Sequence, residues 1–227
     1  MSCPSSVAPD AQAIRAAATV AVMRESAAGL ELLLLKRAAA LAFYAGAWVF
    51  PGGRVDPEDG DLEHGLVDAA RTAAVRELEE EAGLRVAPDA LRPISRWLTP
   101  PGRARRFDTF HFVVSAPDQP VTVQPSEVAD HRWLTARAAL ESHARGELEL
   151  PPPTFVTLTV FEPLRSMVEV HAAIAGGAIH YIPRAHAVEG GFVYLYDGDA
   201  GYESGALDAE GARHRLHAVG RDWRYER

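Results

Sequence analysis

The sequence contains very little cysteine and very little lysine. Cys3 is the only cysteine, and Lys36 is the only lysine among 23 basic residues. A single cysteine excludes an internal disulfide bond and a cysteine-based zinc site. None of the spacings among the nine histidines resembles a zinc site either, so we expect structural roles for these side chains, including His111, His180, His186, His214 and His217.

Long apolar runs and an excess of positive charge are also absent. The apolar run at residues 32–35 has the length of a strand, and no segment combines a basic start with a long apolar core. We therefore expect no signal peptide, no membrane span and a cytoplasmic protein. The net charge of −8 provides no basic stripe of the kind that binds nucleic acid. With 227 residues, 48% of them hydrophobic, the chain can bury the core of one domain plus an extension.

The pattern of apolar and turn-forming residues predicts strands alternating with helices. Thr135 is a suitable N-cap, and Gly176 with Gly177 ends the last predicted helix. This order is typical of a mixed α/β (α+β) sandwich. We expect one domain over 14–150 and an extension over 151–227 that packs on it, a possible arm of a homodimer. Strands are predicted over 16–23, 30–36, 92–98, 108–114, 132–134, 192–196 and 214–219, helices over 67–82, 135–143 and 154–175, and residues 48–50 lead into the glycine turn.

The most informative stretch is Arg76-Glu77-Leu78-Glu79-Glu80-Glu81-Ala82-Gly83-Leu84. On a helix that turns ~100° per residue, Glu77, Glu80 and Glu81 fall within an arc of about 100°. Like charges at this spacing repel, so the cluster favours a bound hard cation, Mg²⁺ or Mn²⁺. The alternative is a solvated acidic helix face.

This stretch, preceded by Phe50-Pro51-Gly52-Gly53, resembles the signature of the Nudix hydrolases. The resemblance implies an α/β/α sandwich with a mixed sheet that hydrolyses a nucleoside diphosphate linked to another moiety. It implies that Glu77, Glu80 and Glu81 bind metal and that Arg76 orients these carboxylates. The main chain of Gly53 would approach the metal or the phosphates. Glu79 has no family role, and we expect it to face solvent.

The spacing inside this signature differs from the family pattern. The family places the glycine 14 residues before the arginine, whereas Gly53 and Arg76 are 23 residues apart, so nine residues are inserted. We place the insertion within residues 56–65 and expect it to be exposed, with room for a short helix. Asp68, eight residues before Arg76, corresponds to the acid that the family carries at that distance.

A narrower resemblance points to coenzyme A. Residues 33–38, Gly46 and residues 50–53 resemble the signature of the CoA diphosphatases, although Leu35 replaces its threonine and Ala42 its arginine. Residues 45–56, 106–110 and 150–154 resemble the peroxisomal acyl-CoA diphosphatases and their bacterial relatives, which also carry an insertion. This branch would produce 3′,5′-ADP and (acyl-)4′-phosphopantetheine. Two alternatives stay open: a diphosphatase for ADP-ribose, NADH or another dinucleotide, and a non-catalytic nucleotide-binding regulator.

Two further groups are candidates for the site. Glu127 precedes the strand that contains Trp133, where many Nudix enzymes carry an additional metal ligand or the base that activates water; the alternative is a surface glutamate. Three arginines on the loop 100–106 suit bidentate contacts to phosphate, or form a solvated basic turn. Trp48 and Phe43 are expected in the core rather than stacked on adenine. The candidate substrate contacts are Gly52, Gly53, Arg54, Arg37, Arg105 and Arg106.

Overall fold

A computed structural model describes residues 14–39, 44–103 and 105–227. The described chain forms twelve strands and four α-helices. The strands are β1 Arg15–Ser26, β2 Gly29–Arg37, β3 Trp48–Val49, β4 Gly52–Arg54, β5 Arg92–Leu98, β6 Phe107–Ser115, β7 Val128–Thr135, β8 Ile179–Tyr181, β9 Arg184–Val188, β10 Gly191–Leu195, β11 Arg215–Val219 and β12 Asp222–Glu226. The helices are α1 Leu66–Ala82, α2 Ala136–Ala144, α3 Pro152–Phe161 and α4 Met167–Ile174.

The first eight strands form one mixed sheet. Its order is β3-β2-β1-β6-β5-β8, and β4 pairs with β1 while β7 pairs with β2. The pairs β1–β6 and β5–β8 are parallel, and the others are antiparallel. This register brings the start of β1 and β6 together with the end of β2 and β5. The described parts of the loops 38–47 and 99–106 therefore lie at one end of the sheet together with the glycine turn and Glu127, and we call this end the loop end.

Helices cover both faces of this sheet, and the buried side chains of β1 alternate between the two faces. Ala18, Val20 and Val22 pack in one buried cluster with α1, whereas Ala21 and Met23 pack in the other with α2, α3 and α4. The buried side of α1 consists mainly of alanines, which let the helix approach the sheet closely. The expected α/β/α sandwich with a mixed sheet is confirmed.

The chain after β8 builds a second, four-stranded antiparallel sheet in the order β12-β11-β10-β9. A buried ion pair anchors the connection between β10 and β11. The Asp199 carboxylate accepts two hydrogen bonds from the Arg215 guanidinium, at 2.6 and 2.7 Å, and two more from the main-chain N–H groups of Gly201 and His214. Burial alone would raise the pKa of this carboxyl, but these four donors outweigh it and hold the pKa well below its usual range.

The sequence-based prediction of a single helix over 154–175 is wrong. The structure has two helices, α3 and α4, because the chain turns at residues 162–166. Pro163 cannot donate a helical hydrogen bond, and the Ser166 side chain caps α4 by accepting from the N–H of Glu169. The strands β3, β4, β8, β9 and β12 were not predicted. Each is only two to five residues long.

Trp48 is buried, as expected. Phe43 and Ala42 lie outside the described residues. No described helix has both the length and the apolar character needed to cross a bilayer.

His111 is a buried titratable side chain of the central sheet. It lies on β6, with its ring 6.1 Å from that of Trp97, and its Nδ1 has no hydrogen-bond partner. Burial lowers the pKa of this imidazole to about 3. The ring is therefore neutral in the folded protein at physiological pH.

We predict that His111→Leu reduces the loss of stability in mild acid. The ordinary pKa of 6.5 applies to the unfolded chain, so between pH 6.5 and about 3 the unfolded state binds more protons, and the free energy of unfolding falls as the pH falls. Between pH 7.5 and 5 this loss is about 2 kcal/mol for His111. Urea unfolding at both pH values measures it. His180→Gln, at an exposed histidine, should keep the wild-type difference, and an unchanged difference in His111→Leu would contradict the assignment.

Candidate active site

The glycine turn lies directly against the C-terminal half of α1. The N–H of Gly52 donates to Oε2 of Glu81 at 2.8 Å. A β-carbon at residue 53 would overlap the Glu77 carboxylate, and one at residue 52 would overlap the main chain of β1. Gly52 also has φ 152°, which favours glycine. The turn thus needs both glycines because a strand and two carboxylates approach its backbone.

Arg76 joins the carboxylates of α1 to the segment that follows the glycine turn. Its guanidinium donates to Asp59 twice, with Nε–Oδ1 at 3.0 Å and Nη2–Oδ2 at 2.9 Å. Nη1 donates to Glu77 at 2.9 Å and to Glu80 at 3.2 Å, and Nη2 donates to the Arg54 carbonyl. One cation therefore offsets part of the repulsion within the acidic cluster.

The acid that pairs with Arg76 is Asp59, so the alignment with Asp68 is wrong. Asp59 lies six residues after Gly53, at the end of the 3-10 turn Pro57–Asp59, and only 7% of it is exposed. The Asp68 side chain is 90% exposed, and the nearest cation that pairs with it is Arg71, at 3.9 Å. The inserted residues therefore follow Asp59. Asp59 lies in the range 56–65 that was expected to be exposed, but it is buried. Counting eight residues back from Arg76 reaches Asp68, but this count does not show which acidic side chain folds next to Arg76.

Glu77 and Glu81 are carboxylates with incomplete charge compensation. Burial raises the pKa of Glu81 to about 7; the Gly52 hydrogen bond opposes this rise, and the charge of Glu77 adds to it. Burial also raises the pKa of Glu77, against the opposing effect of Arg76. The charge of Glu127 raises the pKa of both groups, which puts it near both. A cation in this cluster would favour the ionised forms.

The donor set suits a hard divalent cation, because it consists of oxygens only. Within the described ranges no three acidic, histidine or cysteine side chains already converge as a coordination shell. Glu80 instead accepts its hydrogen bond from Arg76, with its side chain 58% exposed. Glu79 is exposed as expected and pairs with Arg85 at 2.7 Å.

Glu127 lies where the loop before β7 meets the end of β2. Its carbonyl accepts from the N–H of Ala38 at 2.8 Å, and the N–H of Gln124 in the same loop donates to the carbonyl of Glu81. The side chain of Glu127 is exposed to solvent. The charge of Arg37, at the end of β2, lowers the pKa of Glu81, so this arginine also lies at the carboxylate cluster.

The arginine loop lies at the same end of the sheet, but its members differ. Arg106 is half-buried and donates from Nε to the Thr99 carbonyl, while its own carbonyl accepts from the N–H of Arg15. Arg105 is exposed. The Arg103 guanidinium lies 5.5 Å from the ring centroid of Phe192 in the second sheet. Sequence reasoning did not bring Phe192 to this loop, since no local pattern links residues 103 and 192.

A depression of about 470 Å³ flanks α1 on its outer side. It is lined by Thr72, Val75, Arg76, Glu79, Glu80 and Pro88. The depression opens to solvent beside α1, so the Glu80 side chain is accessible from it.

Known proteins resemble this chain in both sequence and fold. A Caenorhabditis elegans protein named nudix hydrolase 7 is 27% identical in a 164-residue alignment that covers 56% of this chain and 54% of that protein. The Xenopus laevis acyl-coenzyme A diphosphatase NUDT19 is 31% identical in a 119-residue alignment that covers 48% of this chain and 31% of that protein. The chain thus matches about half or less of these curated relatives.

The crystal structure of a NUDIX hydrolase from Alicyclobacillus acidocaldarius superposes with a TM-score of 0.63 at 26% identity, covering 70% of this chain and 96% of that one. The family description "NUDIX domain" matches residues 13–153, well over half of the 227 residues. These residues include the glycine turn, Asp59 and all of α1. The chain therefore belongs to the Nudix hydrolase family.

Proposed function

We propose that this protein hydrolyses the pyrophosphate bond of a nucleoside diphosphate derivative, with CoA or an acyl-CoA as the substrate. The products would be 3′,5′-ADP and 4′-phosphopantetheine or its acyl form. The observation that carries the reaction class is a pair of carboxylates, the partly buried Glu77 and the buried Glu81, held against the glycine turn. The acyl-CoA diphosphatase from Xenopus laevis supports the substrate class.

We assign the metal of this site to Glu77, Glu80, Glu81 and the main chain of Gly53, and we infer Mg²⁺ or Mn²⁺ as the ion. Nudix hydrolases generally depend on divalent metals. Once bound, such an ion neutralises charge that develops on the pyrophosphate and lowers the pKa of a bound water. The oxygen donors and the raised pKa values of Glu77 and Glu81 support this assignment.

The side chains of the site divide the remaining work. Asp59 holds Arg76, and Arg76 in turn fixes Glu77 and Glu80. Glu127 is exposed and close to Glu77 and Glu81, so it suits a base that takes the proton from the attacking water. A glutamate of α1 is the alternative base. As the water oxygen bonds to phosphorus, the bridging P–O bond breaks and the leaving phosphate carries away its electron pair.

Arginines at the loop end are suited to orient the phosphates. Arg37 acts electrostatically on Glu81, and Arg54 follows the glycine turn on β4. Arg105 and Arg106 belong to the loop beside the start of β1. Together they bring positive charge to a protein whose net charge is −8.

Two other functions compete with this proposal: a diphosphatase for ADP-ribose, NADH or another dinucleotide, and a non-catalytic nucleotide-binding regulator. The complete set of carboxylates in α1 argues against the regulator. Assays of CoA, acyl-CoAs, ADP-ribose and NADH with Mg²⁺ or Mn²⁺, with identification of the products, test all three. We expect 3′,5′-ADP from CoA substrates. Much faster cleavage of ADP-ribose would discard the acyl-CoA assignment, and no cleavage of any substrate would favour the regulator.

Replacing Glu80 tests the metal assignment. Glu80→Gln keeps the size of the side chain and removes its charge, so we expect kcat/KM to fall about a hundredfold or more. The fold should survive because the side chain is largely exposed. Glu79→Gln, at the adjacent exposed glutamate, is the matched control and should retain activity. Wild-type activity in Glu80→Gln would show that this residue is not a ligand.

Replacing Asp59 tests whether this residue positions Arg76. Asp59→Asn removes a charged partner from two hydrogen bonds, and we expect kcat/KM to fall about 10- to 100-fold, which corresponds to 1.5–3 kcal/mol for hydrogen bonds to a charged group. Asp68→Asn is the control, since Asp68 is exposed and touches no site residue, and it should behave as wild type. Equal effects of the two substitutions would show that Asp59 is not the acid that positions Arg76.

The arginine loop should read the 3′-phosphate that distinguishes CoA from dephospho-CoA. Arg105→Ala/Arg106→Ala should raise KM for CoA more than for dephospho-CoA, by a factor that corresponds to about 1–3 kcal/mol. Arg105→Ala alone leaves the Arg106–Thr99 hydrogen bond intact and separates recognition from folding. Arg85→Ala serves as the control, because Arg85 is an exposed arginine outside this loop. Equal losses on both substrates would assign these arginines to the pyrophosphate or to the fold.

A further inference from the structure

Two aromatic rings form a partly exposed ledge on the second sheet. Phe192 and Tyr194 lie on one face of β10, with ring centroids 6.0 Å apart and an interplanar angle of 30°. Their partners on β9 are Ala187 and Ala185, which are small and exposed. Phe192 is 37% exposed although it is a large apolar residue. Toward β12 on the same face, Trp223 and Tyr225 pack against the core, and Tyr194 itself is partly buried against it, so Phe192 is the exposed end of the ledge.

Two loops of the central domain complete this aromatic ledge. The Arg103 guanidinium lies over the Phe192 ring and also hydrogen bonds to Tyr194, whose pKa it lowers against the larger effect of burial. Tyr44, from the loop 38–47, is close enough to Tyr194 and Arg103 for their charges to affect its pKa. Among the described residues Tyr44 is the only non-glycine residue with positive φ, 51°. The loop thus holds a tyrosine at this position in a conformation that such residues rarely adopt.

The strand register connects this ledge to the catalytic carboxylates. Both loops leave the central sheet at its loop end, where the glycine turn also lies. In the first loop, the N–H of Gly46 donates to the carbonyl of Arg37, the arginine that acts on Glu81. Beside the second loop, Ala17 of β1 pairs with Arg54, whose carbonyl accepts from Arg76. The second sheet itself starts three residues after β8 ends at this same end of the sheet.

We propose that the aromatic ledge, Tyr44, Phe192 and Tyr194 with Arg103, binds the purine base of the substrate. The proposal rests on the proposed function, because it assigns the nucleotide part of that substrate to the second sheet. Purines stack on aromatic rings and on guanidinium planes, and both are present here. The guanidinium and the phenol hydroxyls are also donors for hydrogen bonds to ring nitrogens, and a saturated acyl chain has no atoms that accept them.

The test compares AMP with ribose 5-phosphate, which differ only in the base. We expect isothermal titration calorimetry of the whole protein to show tighter binding of AMP. Phe192→Ala and Phe192→Leu should each weaken AMP binding by about 5- to 100-fold, the range for one lost base–aromatic stack, and leave ribose 5-phosphate unchanged. Phe192→Trp should restore the preference. Tyr202→Ala is the matched control, because Tyr202 also lies under an arginine, Arg184 at 4.3 Å, but in the loop between β10 and β11.

The outcomes separate this proposal from the proposed function. Equal binding of AMP and ribose 5-phosphate by the wild-type protein overturns the base site, and so does a preference that Phe192→Leu leaves intact. In a second arm, product inhibition by 3′,5′-ADP should weaken in Phe192→Leu while that by 4′-phosphopantetheine stays constant; the reverse result assigns the ledge to the pantetheine arm and overturns the proposal. A protein that prefers AMP but cleaves no CoA substrate keeps the base site and loses the proposed substrate.

Discussion

The hydrogen bond from the Gly52 N–H to the buried carboxylate of Glu81 is the contact on which the rest of the site depends. It fixes the last turns of α1 against the glycine turn and brings Glu77 into contact with Gly53. Burial makes this arrangement costly, since it raises the pKa of Glu81 to about 7. The packing of the alanine-rich face of α1 on the sheet offsets that cost, because the whole helix is held in place by its apolar side.

The guanidinium of Arg76 is the second interaction that holds the site together, because it supplies positive charge within the acidic cluster. Repulsion among the glutamates by itself indicates a bound cation. The structure shows that Arg76 already supplies one positive charge, shared among Asp59, Glu77 and Glu80. Glu81 receives no hydrogen bond from it, and its pKa stays raised. The cluster therefore combines a neutralised outer side with a buried inner side on which negative charge is still uncompensated, which is where a metal ion has most to gain.

The residues after 150 contribute to the central sheet and to the buried cluster on one of its faces. Helices α3 and α4 share the buried cluster on one face of the central sheet, and β8 extends that sheet by pairing with β5. The second sheet then folds back at the loop end, where Arg103 lies over Phe192. Arg103 thereby lies close to both Tyr44 and Phe192, although long stretches of chain separate the three residues. The division into a domain over 14–150 and an extension stays a prediction.

The sequence by itself determined the helix over 67–82, most strands of the central sheet and the identity of the acidic cluster, because helical periodicity and strand alternation are local properties. Its Nudix resemblance correctly indicated the family and the sandwich fold. Only the tertiary structure decided that Asp59 and not Asp68 meets Arg76, that Pro163 and Ser166 divide the predicted helix, and that Phe192 reaches the arginine loop. Counted from Gly53 the family spacing reaches Asp59, and counted from Arg76 it reaches Asp68, so spacing along the chain does not decide on which side of the acid the inserted segment lies. Contacts between distant segments are set by strand register and by packing of the two sheets, which no single stretch of sequence encodes.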